Sequence, residues 1–85
     1  MPEISRFFGI VIHIYYDDHA PPHFHAEYAG NEVLIRIDDL SVLRGHLHPR
    51  AFGLVMEWAT LHQDELRKAW DDAKRRIKPS KIAPL

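Results

Sequence analysis

The sequence predicts an α+β fold in which a three-stranded antiparallel meander packs on one long C-terminal helix. Two segments with alternating apolar residues indicate a hairpin, and a β-branched, aromatic segment before them indicates a further strand. A long segment with apolar residues at helical spacing follows. Because 85 residues suffice for one modest core, we expect a single domain over residues 1–85.

The first strand is predicted over residues 6–16, which are rich in β-branched and aromatic side chains and are followed by two aspartates. Side chains alternate across a strand, so one face of this segment is strongly apolar and is expected to meet the core. That face comprises Phe8, Ile10, Ile12, Ile14 and Tyr16. Gly9 is expected to mark a bulge or a close backbone approach.

The hairpin is predicted from strands over residues 23–28 and 33–38, separated by turn-forming residues. A turn centred on Gly30 and Asn31 would place Tyr28 opposite Val33. The same register would pair the polar residues His25 with Arg36 and His23 with Asp38.

The helix is predicted over residues 49–77, with proline at its first position and a second proline just beyond its end. Residues 38–48 form the connector before it, and residues 78–85 form a short tail. At 1.5 Å per residue such a helix is about 42 Å long, more than a three-stranded sheet can cover. We therefore expect its far half to pack on a second copy of the chain, giving a homodimer, rather than a break near residues 60–63.

The composition limits the classes of function. A net charge of −1 gives no general attraction to nucleic acid or anionic membranes. No apolar segment approaches the ~20 residues needed to span a bilayer, and no secretory signal is present, so we expect a cytoplasmic protein with no membrane partner. The chain has seven histidines and no cysteine, so any metal site must use imidazole and oxygen ligands.

Residues 17–28 contain the densest group of candidate functional side chains in the chain. They contain three of the seven histidines, three carboxylates and the double proline Pro21-Pro22. Two consecutive prolines stiffen the loop, so the histidines on either side of it are expected to keep a defined relation.

One hypothesis for this segment is metal-independent cleavage of RNA. Such a reaction needs a base, an acid and a cation that stabilises the charge on phosphorus. His25 would be the base, His23 or His19 would be the acid, and Arg36 would be the cation. Asp38 would orient His23. The absence of a basic stripe around these residues argues against RNA as the ligand.

A second hypothesis is a divalent transition-metal site formed by Asp18, His19, His23 and His25. Carboxylate and imidazole suit such ions, and two histidines spaced by one residue on a strand can bind one ion. A third interpretation is architectural: the prolines make a corner, and the imidazoles hydrogen-bond to neighbouring groups. That interpretation accords with a protein-binding role, because an exposed sheet edge and a long amphipathic helix are docking surfaces.

The chain also resembles a known family. Residues 1–9, residues 17–19 and the motif Pro21-Pro22-His23-Phe24-His25 are similar to small prokaryotic proteins catalogued as domain of unknown function 4160, as is the helical pattern over residues 54–66. The resemblance implies no settled activity and transfers no catalytic residue. It implies half of a two-gene, toxin–antitoxin-like module, so we expect a component that binds a small partner protein encoded nearby, with the histidine-based nuclease or metal enzyme as the alternative.

Overall fold

A computed structural model describes residues 2–85; Met1 lies outside the described part. The fold is α+β, but the predicted three-stranded meander with one long helix is wrong. The structure has a five-stranded antiparallel sheet, with the strands in chain order, and two helices. The elements are β1 (Glu3–Phe7), β2 (Ile10–His13), β3 (His23–Tyr28), β4 (Asn31–Arg36), β5 (Val42–Gly45), α1 (Pro49–Leu61) and α2 (Gln63–Lys74).

The predicted first strand over residues 6–16 is a hairpin instead. Phe8 and Gly9 have φ angles of 50° and 79°, and Phe7 pairs with Ile10. Two consecutive residues with positive φ make the tight turn whose twist matches an antiparallel hairpin. Gly9 is therefore a turn residue, not a bulge. Phe8 lies at the turn and is 68% exposed, whereas Phe7 is buried.

The predicted β3–β4 hairpin is present, but its register differs from the expected one by two residues. Ala29 and Gly30 form the turn, with φ angles of 50° and 82°, and Tyr28 pairs with Asn31 rather than with Val33. A shift by an even number of residues keeps every side chain on its predicted face. Accordingly, Phe24 and Ala26 are fully buried in the core.

The register shift changes the partners of the two strand histidines. His25 lies opposite Leu34, and His23 lies opposite Arg36. The expected His25–Arg36 and His23–Asp38 pairs are therefore wrong.

Strand β5 replaces part of the predicted connector over residues 38–48. All four of its residues are exposed, so no apolar alternation identifies it in the sequence. Leu40 has a φ of 57°, and Arg36 N–H donates to the Ser41 carbonyl, which closes the turn from β4. Gly45 lies so close to β4 that a Cβ there would collide with the carbonyl oxygen of Glu32.

The predicted helix over residues 49–77 breaks at His62, where φ and ψ are −121° and 25°. The side-chain amide of Gln63, the first residue of α2, donates to the carbonyls of Ile37 and Asp38 at 2.7 and 2.9 Å. These two hydrogen bonds connect the start of α2 to the residues just after β4. The break lets the apolar face of α2 pack within the same chain, where Leu66, Ala69, Trp70 and Ala73 are buried. The homodimer was expected because one continuous helix would be too long for the sheet. The structure has two shorter helices instead, so this reason for a dimer no longer applies.

Trp58 of α1 is the centre of the core. Its ring is fully buried and lies 5.4 Å from the ring of Phe7 and 5.9 Å from that of Phe24. Its indole N–H donates to the carbonyl of Ala83 at 2.8 Å, which holds the C-terminal tail on the body. The backbone N–H of Ile82 donates to Ile4 of β1, so the tail also covers the outer edge of the sheet on that side.

None of the helices within residues 2–85 has the length and apolar character that crossing a membrane requires.

Two glycines with nearly identical backbone angles test the β4–β5 contact. Gly30 and Gly45 have φ angles of 82° and 80°, but only Gly45 has backbone atoms where a Cβ would be. Gly30→Ala should cost about 1–2 kcal/mol, the usual cost of left-handed backbone. Gly45→Ala should cost more, because β4 and β5 must also separate. Chemical denaturation of both variants measures the difference; equal losses would contradict this packing of β5.

Candidate metal centre

The loop between β2 and β3, residues 14–22, is held over the sheet by two cations from the end of α2. The ammonium of Lys74 donates to the backbone carbonyl of Asp18 at 2.8 Å. The guanidinium of Arg76 pairs with the carboxylate of Asp17. The Ala20–Pro21 peptide bond, in the same loop, is cis. These contacts place the side chain of Asp18 beside the first residues of β3.

Asp18, His23 and His25 form a compact group in which each residue offers one ligand atom, all lying within 4.8 Å of one another. Oδ2 of Asp18 is 2.8 Å from Nε2 of His25 and 3.2 Å from Nε2 of His23. The two imidazoles are only 6% and 7% exposed. His23 and His25 thus lie on one face of β3, and the aspartate beside them is Asp18, not the Asp38 that was expected to orient His23.

The hydrogen bond made by Nδ1 of His23 determines the tautomer of that residue. Nδ1 lies 2.8 Å from the carbonyl oxygen of Pro21. A carbonyl oxygen only accepts hydrogen bonds, so Nδ1 carries the proton. In the neutral ring Nε2 then has a lone pair, which faces the acceptor-only carboxylate of Asp18. This nitrogen is buried and has no hydrogen-bond partner within residues 2–85.

His25 lies between two carboxylates. Its Nδ1 is 3.1 Å from Oε2 of Glu32, and its Nε2 is 2.8 Å from Oδ2 of Asp18. Both oxygens only accept hydrogen bonds, so the neutral ring donates to one carboxylate and directs a lone pair at the other. Glu32 reaches His25 diagonally across the β3–β4 pair, because Leu34 is directly opposite His25.

The lone pair on Nε2 of His23 and the carboxylate oxygen of Asp18 repel each other unless a positive charge lies between them. One divalent ion would satisfy all three ligand atoms at once. The residues fit a transition metal, since two histidines and one carboxylate form an established ligand set with open positions.

Aromatic and ionisable groups enclose the site. Tyr15 contacts the ring of His25 edge-on, with centroids 4.4 Å apart, and Trp70 of α2 lies 5.3 Å from His23. Burial, together with the negative charges of Glu32, Glu27 and Asp18, raises the pKa of the Tyr15 hydroxyl above its usual value. The group therefore stays neutral where a free tyrosine begins to ionise.

His13 is a third histidine on the same face of the sheet. It lies directly opposite His25, stacks on Tyr15 at 5.9 Å, and has Nε2 3.6 Å from Glu27. Sequence reasoning did not include His13, Tyr15 or Glu32 in the site. Alternation places His13 on the polar face, but only the true cross-strand register brings these residues beside His25.

Three residues proposed from the sequence have other positions. His19 is exposed and does not belong to the group of converging ligand atoms. Asp38 is exposed, and its carboxylate lies 3.6 Å from Arg67 rather than beside His23. Arg36 is opposite His23 as a strand neighbour, and its Nε is buried without a hydrogen-bond partner in residues 2–85.

Comparison with known proteins gives a family but no activity. A family model described as "Domain of unknown function (DUF4160)" matches residues 9–71, which is most of the chain and includes Asp18, His23 and His25. No curated protein and no solved structure matches the chain.

Proposed function

We propose that this chain, which belongs to the DUF4160 family of proteins of unknown function, is a divalent transition-metal-binding protein. Asp18, His23 and His25 are the proposed ligands. One observation carries the proposal: a ligand atom from each of the three residues lies within 4.8 Å of the others, and the buried Nε2 of His23 has no hydrogen-bond partner within residues 2–85. Hydrogen-bond acceptors at Nδ1 are the usual outer partners of metal-binding histidines.

The ligand set defines the class of ion. Imidazole and carboxylate ligands suit Zn²⁺, Co²⁺, Ni²⁺, Mn²⁺ and Fe²⁺, whereas Cu⁺ prefers sulfur and Ca²⁺ prefers an all-oxygen shell. Three protein ligands leave at least one coordination position free, and an ion bound in this way acts as a Lewis acid and lowers the pKa of bound water. The chain's own part is to hold the ligands: Pro21 and Glu32 orient the two rings, and Lys74 positions Asp18 through its carbonyl.

The ion would fix the middle of the loop over residues 14–22 to β3. Asp18 belongs to this loop, the two histidines belong to β3, and Lys74 attaches the loop to α2. Binding to the folded state alone would stabilise it by about 2.7 kcal/mol when the free ion is at 100 times its dissociation constant. We therefore propose that metal binding keeps this loop on the sheet.

The metal-independent ribonuclease has less support from the geometry. His23 and His25 direct Nε2 at Asp18 instead of at an open groove, and Asp38 is not beside His23. The same face also carries the carboxylates of Glu27 and Glu32, which would repel a phosphate backbone. RNA cleavage remains a prediction that rests on the sequence alone.

The metal proposal is tested by titrating Zn²⁺ or Co²⁺ into the tag-free full chain by calorimetry. We expect about one equivalent to bind and the melting temperature to rise. Asp18→Asn should weaken binding by at least about 100-fold, because a lost ligand costs more than the 10–100-fold typical of a lost outer partner. Asp18 is the variant of choice because its side chain is less buried than those of the histidines.

His19→Ala is the matched control, since it removes an exposed imidazole from the adjacent position. This variant should bind the metal as tightly as the unchanged chain. If His19→Ala abolished metal binding and Asp18→Asn retained it, the site would lie elsewhere. Failure of every ion to bind would overturn the proposal.

A second candidate function is partner binding, the expectation drawn from the family resemblance. One observation favours it: the two outer edges of the sheet differ. The C-terminal tail covers β1, whereas no segment within residues 2–85 pairs with the outer side of β5. Val42 and Leu43 of β5 are 47% and 41% exposed. An uncovered, partly apolar edge suits an extended segment of a partner protein.

Co-expression with the product of the neighbouring gene tests partner binding. Leu43→Lys should abolish the complex, because an edge charge opposes strand addition. Leu61→Lys on α1 is the control and should retain the complex, since Leu61 is also exposed but lies far along the chain from β5. The absence of any complex, or equal loss with both variants, would contradict this role for β5.

A further inference from the structure

A cavity of about 260 Å³ lies away from the metal site, where the β1–β2 turn approaches the start of α1. The metal ligands and their outer partners take no part in its lining. Residues of the turn, β2, β3 and α1 form the walls, so rigid elements define most of its shape.

The body of the cavity is apolar. Its lining includes the side chains of Phe8, Ile10, Tyr28 and Leu54. Phe8 lines the cavity and is also 68% exposed, so its ring is at the mouth. An exposed aromatic ring is unfavourable in water, and a ligand that covers it gains the free energy of apolar burial.

Two polar side chains that line the cavity, those of His48 and Arg50, offer hydrogen-bond donors. Nδ1 of His48 accepts the backbone N–H of Arg50 at 3.2 Å, so Nε2 of the neutral His48 ring carries the proton. The guanidinium of Arg50 has no carboxylate partner within residues 2–85. No aspartate or glutamate lines the cavity, and the first turn of α1 has no acidic residue.

A cavity with an apolar body and two donors, His48 and Arg50, beside the start of α1 fits a specific class of ligand. The positive end of the α1 dipole adds to the charge of Arg50, so both favour an anion. A carboxylate pairs with a guanidinium through two parallel hydrogen bonds. The volume is just under the range of about 300–1,000 Å³ typical of drug-sized ligands, which limits the apolar part to one ring or a short chain.

We infer that this cavity binds a small organic carboxylate, with the carboxylate at Arg50 and His48 and an aromatic or short aliphatic body against Phe8, Tyr28 and Leu54. This activity goes beyond metal binding and does not depend on it. The full chain should therefore bind the ligand with or without added metal.

The test is a titration followed by amide chemical shifts, with phenylacetate as the probe. Phenylethylamine and phenylethanol are the controls that replace the negative charge with a positive charge or with none. Phenylacetate should shift the amides of Phe8, Tyr28 and Ala51 and should bind at least about tenfold tighter than either control, the effect of one charge-assisted hydrogen bond.

Two variants and a matched control assign the binding to this cavity. Arg50→Gln should weaken phenylacetate about tenfold, and Phe8→Ala should weaken it without affecting folding, since the Phe8 ring is largely exposed. Arg44→Gln removes an exposed cation from β5 and should have no effect. Equal binding of the alcohol, or unchanged binding in Arg50→Gln, would overturn the proposal. Tighter binding of a peptide with a free C-terminal leucine would also overturn it, because the occupant would then be a protein terminus.

Discussion

The convergence of two imidazole nitrogens on one oxygen of Asp18 is the constraint on which the polar half of this structure depends. Nδ1 of His23 donates to the carbonyl of Pro21, so its neutral ring presents only a lone pair to Asp18, and His25 lies between the carboxylates of Asp18 and Glu32. Burial limits the access of water to these groups, since both histidines are at most 7% exposed. A divalent ion in this position would bind all three groups as ligands.

The remainder of the fold sets this geometry. The β3–β4 register brings Glu32 diagonally to His25, and the β2–β3 register brings His13 directly opposite it. The break at His62 turns α2 back onto the body, so Lys74 and Arg76 hold the loop that carries Asp18. A continuous helix would have carried these two cations away from the loop. The site thus depends on long-range contacts from the sheet and from α2.

Sequence alternation predicted the faces of the strands because a two-residue error in register leaves them unchanged. It therefore placed His23 and His25 together and put Phe24 in the core. It could not predict which cross-strand neighbours they have, and so it paired His23 with Asp38 instead of Arg36. Local composition also failed to indicate two elements, the β1–β2 turn and β5. Phe8 and Gly9 lie within a segment typical of a strand, so the turn was not predicted, and the exposed β5 has no apolar pattern.

The prediction of one continuous helix over residues 49–77 failed for a different reason. Apolar spacing continues through His62, because α1 and α2 both pack on the same sheet. Only the total length of about 42 Å, more than the sheet can cover, argued for a break. The choice between a break and a second chain depended on a tertiary contact, the hydrogen bonds from Gln63 to the residues just after β4. Helical periodicity cannot report such a contact.

The central claim is that Nε2 of His23 and Nε2 of His25 bind a metal ion, so nitrogen NMR of the histidine side chains tests it most directly. In the metal-free chain, neutral His23 should carry its proton on Nδ1, which faces the carbonyl of Pro21. Adding one equivalent of Zn²⁺ should shift the Nε2 resonances of His23 and His25 and leave those of His19 unchanged. A neutral His23 with its proton on Nε2, or Nε2 resonances that do not respond to zinc, would contradict the account.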